Sequence, residues 1–183
     1  MKHAFLALPL SLIMGLAATS VFANTGTINF TGNITATTCS IEVIDPITGN
    51  PGSGLVNIGS VAASQFTAVG DERGGREFGL RLTPGGGCTV TPGQVANVTF
   101  SGVKDTSGNY FQFKPINGPA TGVVAVIKDD LGTTINNGAA SKDYPLDAAA
   151  PTDMLFYVNY RSTAATVTAG GTEADVRFSV AIN

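Results

Sequence analysis

Ala174-Asp175-Val176-Arg177-Phe178-Ser179-Val180-Ala181-Ile182-Asn183 closes the chain, and its reading decides the fold. Ala174, Val176, Phe178, Val180 and Ile182 alternate with Asp175, Arg177, Ser179, Ala181 and Asn183. Alternation with a period of two puts each set on one side of a β-strand. A second run of this kind lies near the other end. There Ile28, Phe30, Gly32 and Ile34 share one face, and Asn29, Thr31, Asn33 and Thr35 share the other. Chain ends usually fray. Two well-patterned strands at the ends therefore point to strand pairing, and another chain is one partner that would serve.

Between these ends, short strand candidates follow one another. Cys39 to Ile44 sets Cys39, Ile41 and Val43 on one face, and Leu55 to Ile58 is shorter. Phe78, Leu80 and Leu82 alternate with Gly79 and Arg81, as Ala96, Val98 and Phe100 do with Asn97, Thr99 and Ser101. Tyr110 to Phe113 is another short candidate. Val123 to Ile127 is continuously apolar, as expected of a strand covered on both faces. Leu155 to Tyr160 completes the set. Breaks such as Asn50-Pro51-Gly52, Gly74-Gly75, Pro84-Gly85-Gly86-Gly87, Asn136-Asn137-Gly138 and Gly170-Gly171 separate them. Val61 to Phe66 has room for one helical turn. Abundant Gly, Thr and Val with sparse charge fit an all-β sandwich of many short strands. No linker or repeat marks a second domain.

Residues 1–23 read as a secretory signal: Lys2 and His3, then an apolar run from Phe5 to Leu16, then Val21 and Ala23 at the −3 and −1 positions of a cleavage site. The run is too short to span a bilayer. The expected product is exported, without membrane insertion, and has residues 24–183. Loss of Lys2 leaves 9 basic and 13 acidic residues, a formal charge of −4. Nucleic acid and anionic membranes suit such a chain poorly. The sole histidine, His3, leaves with the signal. Ser-His or Cys-His catalysis and His-ligated metal sites go with it. No enzyme activity, cofactor or metal is expected. Asp129-Asp130 reads as a solvated turn rather than a calcium pair. Tyr157 and Tyr160 read as packing residues rather than a sugar platform. Two cysteines remain, Cys39 and Cys88, and export favours joining them, with two buried free thiols as the alternative.

The chain resembles the pilin subunits of chaperone–usher fimbriae of the type 1 kind. The residues that carry the resemblance are Gly26-Thr27-Ile28-Asn29-Phe30-Thr31-Gly32-Asn33-Ile34, with Cys39 seven residues after Gly32. Ala63-Ser64-Gln65-Phe66 followed by Gly70-Asp71 adds to it, as do Phe156-Tyr157-Val158-Asn159-Tyr160, Val167-Thr168-Ala169-Gly170 and the alternating final strand. The resemblance implies an immunoglobulin-like β-sandwich lacking its last strand, completed by a donor strand from a neighbouring subunit. Residues 24–38 would be the N-terminal donor extension and 39–183 the pilin domain. Ile28, Phe30, Gly32 and Ile34 would be donor residues, with an ordinary first strand paired within its own chain as the alternative. Val176, Phe178, Val180, Ile182 and Asn183 would form the acceptor and chaperone-binding strand. The implied partners are other pilin subunits, a periplasmic chaperone and an outer-membrane usher. The implied destination is an extracellular fimbrium, reached through the periplasm, that supports adhesion. A minor adaptor or a lectin-like adhesive subunit is the alternative. Where the family commonly carries a penultimate aromatic, this chain has Ile182.

Overall fold

Strands form where the sequence alternates, and the two sheets they build face each other across one core. The computed structural model describes the backbone of Gly26–Gly32 and residues 39–183 in full. The expected signal segment, the remainder of the 24–38 extension and Ile34 lie outside the described residues. The strands are β1 (Gly26–Gly32), β2 (Ser40–Ile44), β3 (Leu55–Asn57), β4 (Glu72–Thr83), β5 (Val95–Gly102), β6 (Val123–Asp129), β7 (Thr134–Ile135), β8 (Tyr144–Pro145), β9 (Thr152–Ser162) and β10 (Thr172–Ile182). One sheet has the order β3-β1-β10-β5-β8 and the other β2-β4-β9-β6-β7. A single 3₁₀ turn, Ala63–Gln65, falls inside the expected helical stretch. Among the described residues no helix is long and apolar enough to cross a membrane.

The apolar sets meet between the sheets. Phe78, Leu80 and Leu82 of β4, Val98 and Phe100 of β5, Met154, Phe156 and Val158 of β9, and Val176 of β10 are almost fully buried. Phe156 packs against Phe100 edge-on at 4.9 Å and stacks on Phe78 at 5.6 Å between ring centroids. Aromatic pairs of this geometry add stability beyond the area they bury. In β6 both alternating sets are buried, Val124 and Val126 as well as Ala125 and Ile127, as the unbroken apolar run implies.

Cys39 and Cys88 form a disulfide with Cα atoms 4.4 Å apart. It closes a loop whose ends are 49 residues apart. On the chain-entropy account such a loop contributes about 4 kcal/mol. The bond pins the start of β2, which pairs Ser40 with Thr83, at the end of the sandwich where β10 also terminates. There Val95 and Asn183 exchange two backbone hydrogen bonds of 3.1 and 2.9 Å.

Two expectations need correction, and a third holds with an added role. Gly74-Gly75 does not end a strand; it is a bulge inside the 12-residue β4, where the register with β9 shifts between Arg73 and Arg76. Both glycines have positive φ, 64° and 125°, and a Cβ on Gly75 would meet the Tyr157 ring at 2.5 Å. Tyr110 to Phe113 is not a strand: Phe111 alone forms bridges, to Lys104 and Ala125. Asn136-Asn137-Gly138 is more than a turn. Asn137 is buried, accepts from the Gly102 N–H at 3.2 Å and donates to the carbonyls of Gly102 and Tyr110. It supplies bonds that the ladder no longer provides there.

Candidate functional site

The site is the place that β1 fills. β1 lies between β3 and β10 and pairs with both. Its pairing with β10 is parallel: Ile28 is level with Ala174, Phe30 with Val176 and Gly32 with Phe178. Its pairing with β3 is antiparallel, with Ile28 level with Val56. Ala174, Val176 and Phe178 are the β10 residues whose side chains enter the core. The donor segment and the acceptor strand read from the sequence are thus brought side by side. They meet here within one chain, whereas the expected partner was a neighbour.

β10 is anchored independently of β1. Its other edge carries β5 over seven residue pairs, from Val176 with Gly102 to Ile182 with Ala96. Ahead of β5's reach, the Lys114 N–H donates to the Glu173 carbonyl at 2.7 Å. The Lys114 ammonium sits 2.7 Å from Asp175 and 2.8 Å from Glu173, and these hydrogen bonds raise its pKa. With β5 and Lys114 on one edge, β10 keeps its other edge for an added strand. A strand edge of this kind is a template for a further strand.

Burial falls along β10. Ala174 and Val176 are sealed and Phe178 nearly so, while Val180 and Ile182 are half-buried and Asn183 is exposed. β1 is level with residues Thr172 to Phe178 only. The acceptor residues Val180 and Ile182 therefore lie past the described part of β1. Near Thr172, at the start of β10, lies a small half-open cavity of about 30 Å³ with a mixed polar and apolar lining. Val61, Phe66, Val123, Tyr160, Val167 and Thr172 are among its walls. The Tyr160 hydroxyl bonds the Gly59 carbonyl at 3.1 Å and the Thr172 hydroxyl at 3.0 Å, which braces the start of β10. Burial raises the Tyr160 pKa, so its hydroxyl keeps its proton.

The sequence reading missed the far wall of the groove, β3, because three residues carry little periodic signal. It also missed Lys114, whose position opposite Glu173 and Asp175 depends on a 59-residue separation. The weaker signals resolve as structure. The Asp129 carboxylate accepts from the Leu131 and Thr133 N–H groups and closes a turn, and Asp130 pairs with Lys142. Tyr157 donates to the Gly74 carbonyl across the bulge.

One sheet of the sandwich is thus completed by β1, a segment that precedes Cys39 in the chain. Comparison with known proteins gives the family. The family model described as "Fimbrial protein" matches residues 28–183. The probable major fimbrial subunit LpfA of Escherichia coli O157:H7 is 34% identical over 173 residues, covering 91% of this chain and 90% of that one. Long polar fimbria protein A of Salmonella typhimurium is 29% identical over 181 residues, covering 98% and 96%. Among solved structures, an antigen and type I fimbria protein of Burkholderia pseudomallei is 31% identical with a TM-score of 0.53, covering 88% of this chain and 97% of that one. A chaperone–usher pilus subunit shares the fold at 15% identity, with a TM-score of 0.60 and coverage of 85% and 93%. The chain belongs to the fimbrial protein family. It is a structural pilin of the chaperone–usher kind with the immunoglobulin-like sandwich of that class.

Proposed function

We propose that the subunit polymerises by passing the segment around β1 to the groove of the next copy. Residues 24–38 serve as the donor extension and 39–183 as the acceptor domain, with 1–23 removed on export. Ile28, Phe30, Gly32 and Ile34 enter the groove beside Val176, Phe178, Val180 and Ile182. The observation that carries this reading is the place of β1 between β3 and β10. Seven residues that precede Cys39 in the chain complete a five-stranded sheet. Added strands gain backbone hydrogen bonds, and their alternate side chains fill pockets. Burying three large apolar side chains contributes roughly 5–9 kcal/mol.

An empty groove exposes an apolar patch that aggregates. A periplasmic chaperone that lends a strand, and an outer-membrane usher that oversees the exchange, meet that need during export. Asn183 and the half-buried Ile182 are the residues such a chaperone reaches first. The product is a fimbrium on the cell surface that supports adhesion. The test is fibre yield by negative-stain microscopy of cells making the intact chain or a chain lacking residues 26–32. Loss of fibres, with the shortened chain retained in the envelope, is expected. Undiminished fibres would overturn the reading.

A further inference from the structure

We propose that Asn117 is a self-modification site, where the side-chain amide closes onto the Gly118 backbone nitrogen, loses ammonia and opens to a carboxylate. The conversion loosens the turn that holds the start of β10. It takes place whichever strand fills the groove.

The chain contains two Asn-Gly pairs, Asn117-Gly118 and Asn137-Gly138. Glycine has no Cβ, so the nitrogen that follows each asparagine is unhindered. The fold treats the two pairs in opposite ways. Asn137 is buried, and its amide is bonded to Gly102 through both its oxygen and its nitrogen. The Gly138 N–H donates to the Phe100 carbonyl at 2.7 Å. Attack by that nitrogen would first break this bond and turn a fixed side chain. Asn117 and Gly118 are both exposed, and Gly118 has a φ of 65°. Among the described residues, neither the Asn117 side chain nor the Gly118 N–H has a hydrogen-bond partner. Both reacting groups are free to meet, and water reaches them. In the step itself the Gly118 nitrogen gives its proton to water and bonds to Asn117 Cγ. The Cγ–Nδ2 bond breaks, and the departing nitrogen takes a proton from solvent and leaves as ammonia. Water then adds to either carbonyl of the cyclic imide. One opening gives an aspartate. The other gives an isoaspartate, whose backbone runs through Cγ and is one methylene longer.

The turn around Asn117 is fastened to the residues just ahead of β10. The Gly171 N–H donates to the Gly118 carbonyl at 3.0 Å, and the Ala120 N–H donates to the Gly171 carbonyl at 2.9 Å. Pro119 forms a parallel bridge with Gly171. The approach is so close that a Cβ on Gly170 would meet the Pro119 carbonyl carbon at 2.2 Å. Gly171 is followed by Thr172, the first residue of β10. Ala120, Gly170 and Thr172 also wall the small cavity at that point. A methylene added between Asn117 and Gly118 shifts the Gly118 carbonyl and takes the bond from Gly171 with it. The rest of β10 stays held by β5, so the loosening is confined to its first residues.

The test ages the oxidised mature protein at mildly alkaline pH and maps its peptides by mass spectrometry, with fragmentation that tells isoaspartate from aspartate. The Asn117 peptide should convert roughly tenfold faster than the Asn137 peptide, which reacts only from locally opened states. Gly118→Ala adds a Cβ that meets nothing within 4 Å, so the chain still folds, and conversion at Asn117 should slow by about tenfold. Hydrogen exchange then reads the consequence. In the isoaspartate fraction the Gly171 amide should exchange several-fold faster than in fresh protein, with β4 and β9 unchanged. Asn117→Gln, whose longer side chain closes a less favourable ring, should keep the fresh exchange pattern after the same ageing. No conversion at Asn117 in the intact chain, or equal conversion at Asn137, would overturn the site. Unchanged exchange at Gly171 in the isoaspartate fraction would overturn the link to β10.

Discussion

The two sheets of the sandwich are finished in different ways. In the sheet β2-β4-β9-β6-β7 every strand follows Cys39 in the chain, and the two long strands β4 and β9 pair over nine residue pairs. Its outer face is tied by Glu72, which accepts from Lys128, from Asn159 at 3.0 Å and from Arg161 at 2.8 Å. Arg81 adds a bidentate pair with Asp153 at 2.6 and 2.7 Å. In the sheet β3-β1-β10-β5-β8 the second position is taken by a segment from the other side of the disulfide. One sheet is complete by its own chain connectivity. The other includes an element from ahead of Cys39 that pairs with β10 and β3. A replaceable strand requires a rigid frame to return to, and the first sheet supplies it.

The contrast predicts a ranking of damage. Phe156→Ala strikes the frame. Its ring is almost fully buried against Phe78, Phe100 and Tyr144, and truncation should cost about 3–5 kcal/mol in urea unfolding. A loss below about 1 kcal/mol would mean that this sheet is not the frame. Replacing Cys39 and Cys88 together by Ser should cost about 4 kcal/mol by the same measurement. A loss below about 1 kcal/mol would mean that loop closure contributes little here.

Phe30→Asp should cost the monomer far less, about 1–2 kcal/mol, because the loss is confined to a segment that opens locally. Hydrogen exchange should show lost protection on β10 and β3 and unchanged protection on β4 and β9. Loss of protection throughout would make β1 an ordinary core strand and dissolve the contrast between the sheets.

The smallest expected effect is a response to acid. Burial alone would raise the Glu72 carboxyl. Hydrogen bonds from Lys128, Asn159 and Arg161 outweigh it and hold the pKa below its ordinary value. A depressed folded pKa means that the stabilisation is complete above the unfolded value, about 4.3. It is lost as pH falls through the lower folded value. Solvent screening limits the contribution to less than about 1 kcal/mol. Comparing Glu72→Gln with the intact chain across pH 2–6 should show the difference shrinking toward the acid end. A difference that grows on acidification would assign the effect to another carboxylate.

How much of this was legible depended on the range of each signal. The alternation of Ala174 to Ile182, Ala96 to Ser101 and Leu155 to Tyr160 gave true strands, because a half-buried strand writes its two faces into adjacent residues. The unbroken run Val123 to Ile127 gave a strand buried on both faces for the same reason. The two-residue β7 and β8 carry no period to read. The bulge at Gly74-Gly75 looks in sequence like a break, since glycine serves both.

By itself the sequence determined an all-β chain and the cysteine pair available to be joined, which follow from local pattern and residue chemistry. That the two terminal strands meet at one groove was implied by the family resemblance, since alternation alone names no partner. Tertiary structure decided that β3 is the other wall, that Lys114 clamps Glu173 and Asp175, and that β1 pairs with β10 in the parallel sense within its own chain. An alternating strand reads the same for either pairing direction and for either partner. Its direction is fixed only once the fold sets β10 beside it, level from Thr172 to Phe178.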